Sequence, residues 1–165
     1  MNTLSGRLLI VDDNEMNRDM LARRLERKGY VVGVADSAQQ LLQRTKQDGT
    51  DLVLLDIEMP EVSGLEALKM LREAYSLIEL PVIMVTAKNQ SEDIVKALGL
   101  GANDYLTKPV DFPVALARIA TQLSHKRAQE AVKALAEHLH ATFPEKESRR
   151  KERATKNDGT TAPLK

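Results

Sequence analysis

The stretch "LVLLDIEMP" (52–60) holds the conflict that decides the fold. Leu52, Val53, Leu54 and Leu55 form an uninterrupted apolar run. Such a run reads as a strand buried on both faces, as in the middle of a parallel sheet. The run leads straight into Asp56. Carboxylates are rarely buried unless something pairs with them. A central strand that ends on an acid therefore requires a compensating charge elsewhere in the chain.

Working outward, four more short runs have strand character: "RLLIV" (7–11), "YVVGVA" (30–35), "PVIMV" (81–85) and the weaker "DYLT" (104–107). Helical patterns lie between them. The first passes through Met16, Met20, Leu21 and Leu25 and stops at Gly29. The second carries Ala38, Leu41, Leu42 and Thr45, and the third follows Gly64 with Leu68, Leu71 and Tyr75. A short helix holds Ile94, Val95 and Leu98. The last begins near Asp111, with Phe112, Ala115, Leu116, Ile119 and Leu123 on one face. Five strands alternating with five helices predict an α/β fold, a parallel sheet covered on both sides. Ligands of such sheets bind beyond the carboxyl ends of the strands.

The strand ends carry chemistry. Strand 1 ends in Asp12 and Asp13, strand 3 in Asp56, strand 4 in Thr86 and strand 5 in Lys108. The three carboxylates converge if strands 1 and 3 are neighbours. Two unit charges 4 Å apart repel by about 4 kcal/mol at an effective dielectric near 20. Such a cluster needs a cation or protons. Mg²⁺, a hard ion bound by one or two carboxylates, waters and a phosphate, fits it. Lys108 and Thr86 would face the same pocket. Carboxylate, metal, lysine and hydroxyl together suit phosphoryl transfer, with a carboxylate as nucleophile. Singly, Asp13 reads as a helix cap and Thr86 as a turn residue. As a set on one sheet edge they read as a site.

Composition limits the alternatives. The chain has 165 residues, 42% hydrophobic and only 3% aromatic, so the core is aliphatic. It has no cysteine, which excludes disulfides and thiolate chemistry. No apolar run is long enough for a membrane span, and a cytoplasmic location is expected. Basic and acidic residues number 24 each. From His125 onward about 10 basic residues face 6 acidic ones, so the body before it is mildly acidic. That argues against a body built to hold nucleic acid. His138 and His140 do not share a helix face, so the histidines read as surface residues.

"LLIVDDNEMNR", "LVLLDIEMPEVSG", "PVIMVTA" and "GANDYLTKPVD", in this order and spacing, resemble the receiver domain of bacterial two-component response regulators, over about 7–124. The resemblance implies a flavodoxin-like (βα)5 fold, a doubly wound parallel sheet of strand order 2-1-3-4-5. It implies Asp56 as phospho-acceptor, with Mg²⁺ held directly by Asp13, Asp56 and the backbone carbonyl of Glu58 and through water by Asp12. Thr86 and Lys108 would grip the phosphoryl group, and Thr86 and Tyr105 would form a switch acting on helix 4, strand 5 and helix 5. Lys108-Pro109 matches a bond that is cis in receivers. Glu58 and Lys88 fall where the family tunes the lifetime of the phosphoryl group. The implied donor is a histidine kinase or phosphotransfer protein, and the implied role is signal transduction rather than catalysis on an outside substrate.

The domain expectation is a receiver at 1–124, a helical extension or linker at 125–142 and a disordered polar tail at 143–165. In the extension, Ala128, Val132, Leu135 and Leu139 recur at spacings of 4, 3 and 4, an a/d-like seam that reads as a homodimerisation helix or signalling linker. The tail, with its basic Arg149-Arg150-Lys151, is too short for a folded DNA-binding domain. Two alternatives stay open. One is the receiver end of a longer regulator such as a cyclase or hybrid kinase. The other is a Mg²⁺-dependent phosphohydrolase of the haloacid dehalogenase type, although strand 1 ends Asp-Asp-Asn rather than Asp-x-Asp.

Overall fold

The computed structural model describes residues 5–87 and 91–143. Two units separate along the chain, Met1–Arg127 and Ala128–Lys165. In the first unit the strands are β1 (Arg7–Val11), β2 (Val31–Ala35), β3 (Leu52–Asp56), β4 (Val82–Ala87) and β5 (Asp104–Lys108). They alternate with α1 (Glu15–Glu26), α2 (Ala38–Gln47), α3 (Gly64–Ala74) and α4 (Ser91–Gly99). Helix α5 (Phe112–Thr142) starts in this unit and continues into the second. All strand pairs are parallel, in the order β2-β1-β3-β4-β5.

Side-chain alternation along the strands builds two cores. Leu9, Val11, Val53, Leu55 and Met84 point to one face, where Leu41 of α2, Leu68 and Leu71 of α3 and Ala97 of α4 cover them. Leu8, Ile10, Leu52, Leu54, Ile83 and Val85 point to the other, against Leu25 of α1 and Ala115, Ile119 and Leu123 of α5. Asp56 has the same parity as Leu52 and Leu54, which places it on the α1/α5 side of the sheet.

Two helices turn differently from their apolar stripes. On α1, Met16 and Met20 are 79% and 57% exposed, and Ala22 and Leu25 are the buried residues. On α4, Val95 and Leu98 face solvent and Ala97 is the buried residue. A helix that lies close on a sheet buries small residues where the approach is tightest, and alanine carries little pattern signal. Tyr30 precedes β2 as a buried residue instead of opening the strand.

Arg72 locks the α3–β4 and α4–β5 connections. Its Nε donates to Gly101 O at 2.7 Å and Nη1 to Leu80 O at 2.9 Å, while Nη2 donates to Asn103 Oδ1 at 3.0 Å. Asn103 Oδ1 also accepts from the Val82 N–H at 2.9 Å. The register that aligns β4 with β5, and so Thr86 with Thr107, is pinned here.

Lys88 and the tail at 144–165, including Arg149-Arg150-Lys151, lie outside the described residues.

Candidate functional site

Strands β1 and β3 are neighbours, so their acidic ends meet. Carboxylate oxygens of Asp12, Asp13 and Asp56 lie within 4.8 Å of one another. Asp56 is 3% exposed and Asp12 is 7% exposed, whereas Asp13 faces solvent. Lys108, at the end of β5, reaches back across the sheet edge. Its Nζ lies 2.8 Å from Asp56 Oδ2 and 3.3 Å from Asp12 Oδ2. This is the compensating charge that the 52–60 stretch demands.

Local backbone choices aim these groups. Asn14 caps α1 by accepting from the Asn17 N–H, which forces the chain to turn directly after Asp13. The Asn14 N–H donates to Asp12 Oδ1 at 2.9 Å, and Arg18 Nη1 donates to Asp12 O at 3.1 Å. Beyond β3, the Glu58 N–H donates to Asp56 Oδ1 at 3.1 Å. Glu61 adopts φ 65, a left-handed conformation that costs a non-glycine residue energy. Ser63 and Glu66 then form a reciprocal capping box that starts α3. The strained turn between two anchored ends brings Gly64 against the Asp56 backbone, and its N–H donates to Ile57 O at 2.8 Å.

Thr86 is fully buried near the end of β4, with Asp56 paired to its neighbour Val85 across the sheet. Tyr105 is half-buried on β5, and the Arg118 guanidinium lies 5.5 Å from its ring centre. Arg118 is fixed by Asp104 at 2.7 Å. The Lys108-Pro109 bond is cis. A cavity of about 430 Å³ opens beside the acids, lined by Asp12, Asp56, Lys108, Met20, Arg24 and Phe112 among others. His125, His138 and His140 are exposed surface residues.

Burial is the main influence on Asp56 and pushes its carboxyl above the ordinary carboxylate value of 3.8. The Lys108 hydrogen bond and charge pull it back, and the Asp12 charge pushes it up again. Burial alone would lower Lys108, but Asp56 and then Asp12 outweigh it and hold the ammonium above its ordinary value. An isolated ion pair would lower the acid. Here desolvation and the second carboxylate win, so one lysine does not fully answer the charge of the cluster. Three oxygen donors with residual negative charge fit a hard cation.

A pH trend follows. An acid whose folded pKa lies above its unfolded value contributes stability that is full below the unfolded value and lost as pH rises through the folded one. In the presence of a chelator, the melting temperature of Asp56→Asn relative to wild type should therefore increase as pH rises from below 3.8 toward neutrality. Thermal melts across that range check this, and a constant difference would contradict it.

The structure brings Asp12, Asp13, Asp56 and Lys108 together at the carboxyl edge of the sheet. Thr86, fully buried, lies near the end of β4, and Tyr105 is half-buried on the neighbouring β5. Sequence reasoning misses Arg18, which holds the β1–α1 turn, and the role of Gly64. The only sequence signal for either is the "SG" that opens α3.

A family profile described as "Response regulator receiver domain" matches residues 8–120. The chain is 42% identical over 118 residues to YkoG of Bacillus subtilis, an uncharacterised transcriptional regulatory protein, covering 72% of this chain and 51% of that one. It is 47% identical over 109 residues to a protein-glutamate methylesterase/protein-glutamine glutaminase of Trichodesmium erythraeum, covering 64% of this chain and 30% of that protein. The chain thus spans about half or less of the length of these relatives. Among solved structures, a putative response regulator from Chloroflexus aurantiacus superposes with a TM-score of 0.68 at 31% identity, covering 73% of this chain and 98% of that one.

Proposed function

The chain belongs to the response regulator receiver domain family of two-component systems, and from that premise we propose that Asp56 is its phospho-acceptor. The observation that carries this reading is Asp56 itself, a carboxylate buried at the end of a central strand, held by Lys108 at 2.8 Å and crowded by Asp12. Its donor is a histidine kinase or phosphotransfer protein that presents phosphohistidine. Asp56 attacks phosphorus, the phosphorus–nitrogen bond breaks, and the electron pair leaves with the imidazole. Lys108 sits where it can neutralise the transferred oxygens, and Thr86 offers a hydroxyl from β4. Asp12, Asp13, Asp56 and the Glu58 carbonyl would hold Mg²⁺. When bound, the ion supplies charge neutralisation for the phosphoryl oxygens.

Phosphorylation replaces a buried monoanion by a group of charge about −1.5 to −2. Lys108 then has new oxygens to bind, and Thr86 and Tyr105 shift with it. Tyr105 is tied through Arg118 to Asp104, so its movement reaches the α4-β5-α5 surface. This makes the chain a signal transducer that assists its own phosphorylation and dephosphorylation rather than an enzyme for an outside substrate. The receiver proper is assigned to 1–124 and the extension to 125–142, in the cytoplasm. No helix among the described residues is long and apolar enough to cross a membrane. Because curated relatives run well beyond the matched region, the module fits equally at one end of a longer regulator.

Incubation with Mg²⁺ and a small acyl phosphate should add the mass of one phosphoryl group, with no sustained turnover of phosphate esters. Failure to label, or steady ester hydrolysis, would overturn the reading. Mg²⁺ alone should raise the melting temperature, as any ligand of the folded state does. Asp13→Asn, at an exposed position, should leave the metal-free melt nearly unchanged but demand at least about tenfold more Mg²⁺ for the same rise. Identical titrations of the two proteins would remove Asp13 from the metal site.

A further inference from the structure

The part of α5 from Ala128 onward, considered by itself, combines complete exposure with an apolar stripe. Every residue from 128 to 143 is solvent-exposed. Val132 is 63% exposed, Leu135 60%, Leu139 48% and Phe143 64%. Single exposed apolar residues are ordinary, but an aligned series marks an interaction surface. Ala128 and Leu135 take d positions and Val132 and Leu139 take a positions, so the four share one side of the helix.

What borders the seam identifies the occupant. The flanking e and g positions are Gln129, Ala131, Ala136, His138 and Phe143. None bears a fixed charge, and two of the five are alanine. The charged residues Glu130, Lys133 and Glu137 fall at f, b and f, away from the seam. A different partner is usually selected by charges at e and g, and this border offers none to read. A second copy presents the same neutral border and the same stripe. In a two-fold arrangement each residue meets its own counterpart, with apolar against apolar and no like charges opposed. Val132 at a followed by Leu135 at d is the combination that favours two parallel strands.

We propose that residues 128–143 pair with the same segment of a second copy of this chain as a parallel, two-stranded coiled coil. The seam covers only about two heptads, so pairing is weak and follows mass action. It lies outside the phosphoryl site and does not depend on the assignment of Asp56.

Sedimentation of the full chain at rising concentration tests this. The average mass should climb from 18.3 kDa toward twice that value and no further. Leu135→Glu should weaken self-association at least tenfold, and Lys133→Gln, on the outer face, should leave it unchanged. Leu135 is exposed in the single chain, so the substitution does not threaten the fold. The chain has no native cysteine, which makes single cysteines clean reporters of orientation. Ala128→Cys and Thr142→Cys should each crosslink to themselves under mild oxidation. A wild type that stays at 18.3 kDa to its solubility limit overturns the proposal, as does an undiminished Leu135→Glu. Crosslinking only in a mixture of the two cysteine variants shows an antiparallel pair and overturns the parallel arrangement. Phosphoryl labelling of Leu135→Glu should match wild type, so the two readings fail separately.

Discussion

Asp56→Asn should take up no phosphoryl group from an acyl phosphate in the presence of Mg²⁺, while remaining folded. An amide is too poor a nucleophile to form the acyl phosphate, and among the described residues no other buried carboxylate stands in the same place. Asp12 is turned to the Asn14 N–H and Lys108, and Asp13 is exposed. The substitution is nearly isosteric. The Asn side-chain oxygen can still accept from the Glu58 N–H, and Lys108 retains Asp12. The initial labelling rate should fall on the order of 10³-fold or more, equivalent to about 4 kcal/mol of transition-state stabilisation. Intact mass spectrometry over a time course reads this directly. Equal labelling of the two proteins would move the acceptor elsewhere, and peptide mapping would then find it.

The largest effect on stability is expected at Gly64. A Cβ added there would lie 2.0 Å from the Asp56 carbonyl oxygen and 2.7 Å from Ile57 Cα. Both are backbone atoms at the end of the central strand, so neither can rotate away. To admit a methyl group, α3 must move off the sheet or the β3 end must bend. Gly64→Ala should cost about 2–4 kcal/mol, at or above the upper range for overpacking. It should also slow phosphoryl uptake, because the displaced atoms carry the Asp56 side chain. Gly99 is the control. It ends α4 with nothing within 4 Å of an added Cβ, so Gly99→Ala should be neutral or stabilising by up to about 1 kcal/mol. Denaturant titration with unchanged slopes separates the two, and equal midpoints would refute the close-contact argument.

These residues show where sequence is informative. The strands β1, β3 and β4 are legible because both faces are buried, so each is an unbroken apolar run with sharp ends. Asp12, Asp13, Asp56 and Thr86 are legible for the same reason, since each lies at such an end, whereas Lys108 closes the weaker β5. Helix orientation is less legible. Met16, Met20, Val95 and Leu98 are large apolar side chains, yet they face water, because much of the contact with the sheet is made through small residues such as Ala22 and Ala97. The packing roles of Gly64 and Arg72 are scarcely visible, Gly64 showing only as the "SG" that opens α3. Their importance lies in atoms that are near in space, and a glycine or an arginine in a helix looks the same wherever it packs. The seam from Ala128 to Leu139 is an intermediate case: its pattern is plain, but a pattern does not name the surface that covers it.

The strand order has a consequence for a chain made from its N-terminus onward. Lys108 closes the pocket, yet its partners Asp56 and Asp12 lie 52 and 96 residues earlier. During synthesis the three aspartates exist well before their lysine. Until β5 docks beside β4, any early sheet carries an unanswered cluster of negative charge at its edge. The long-range closure that sets the pace of such folds is here also the step that relieves the repulsion. Docking of the last strand is thus electrostatically rewarded, and a nascent chain stopped before β5 lacks the lysine that answers the charge of Asp56. Completion of the domain is therefore also the step that gives the buried Asp56 and Asp12 their cation.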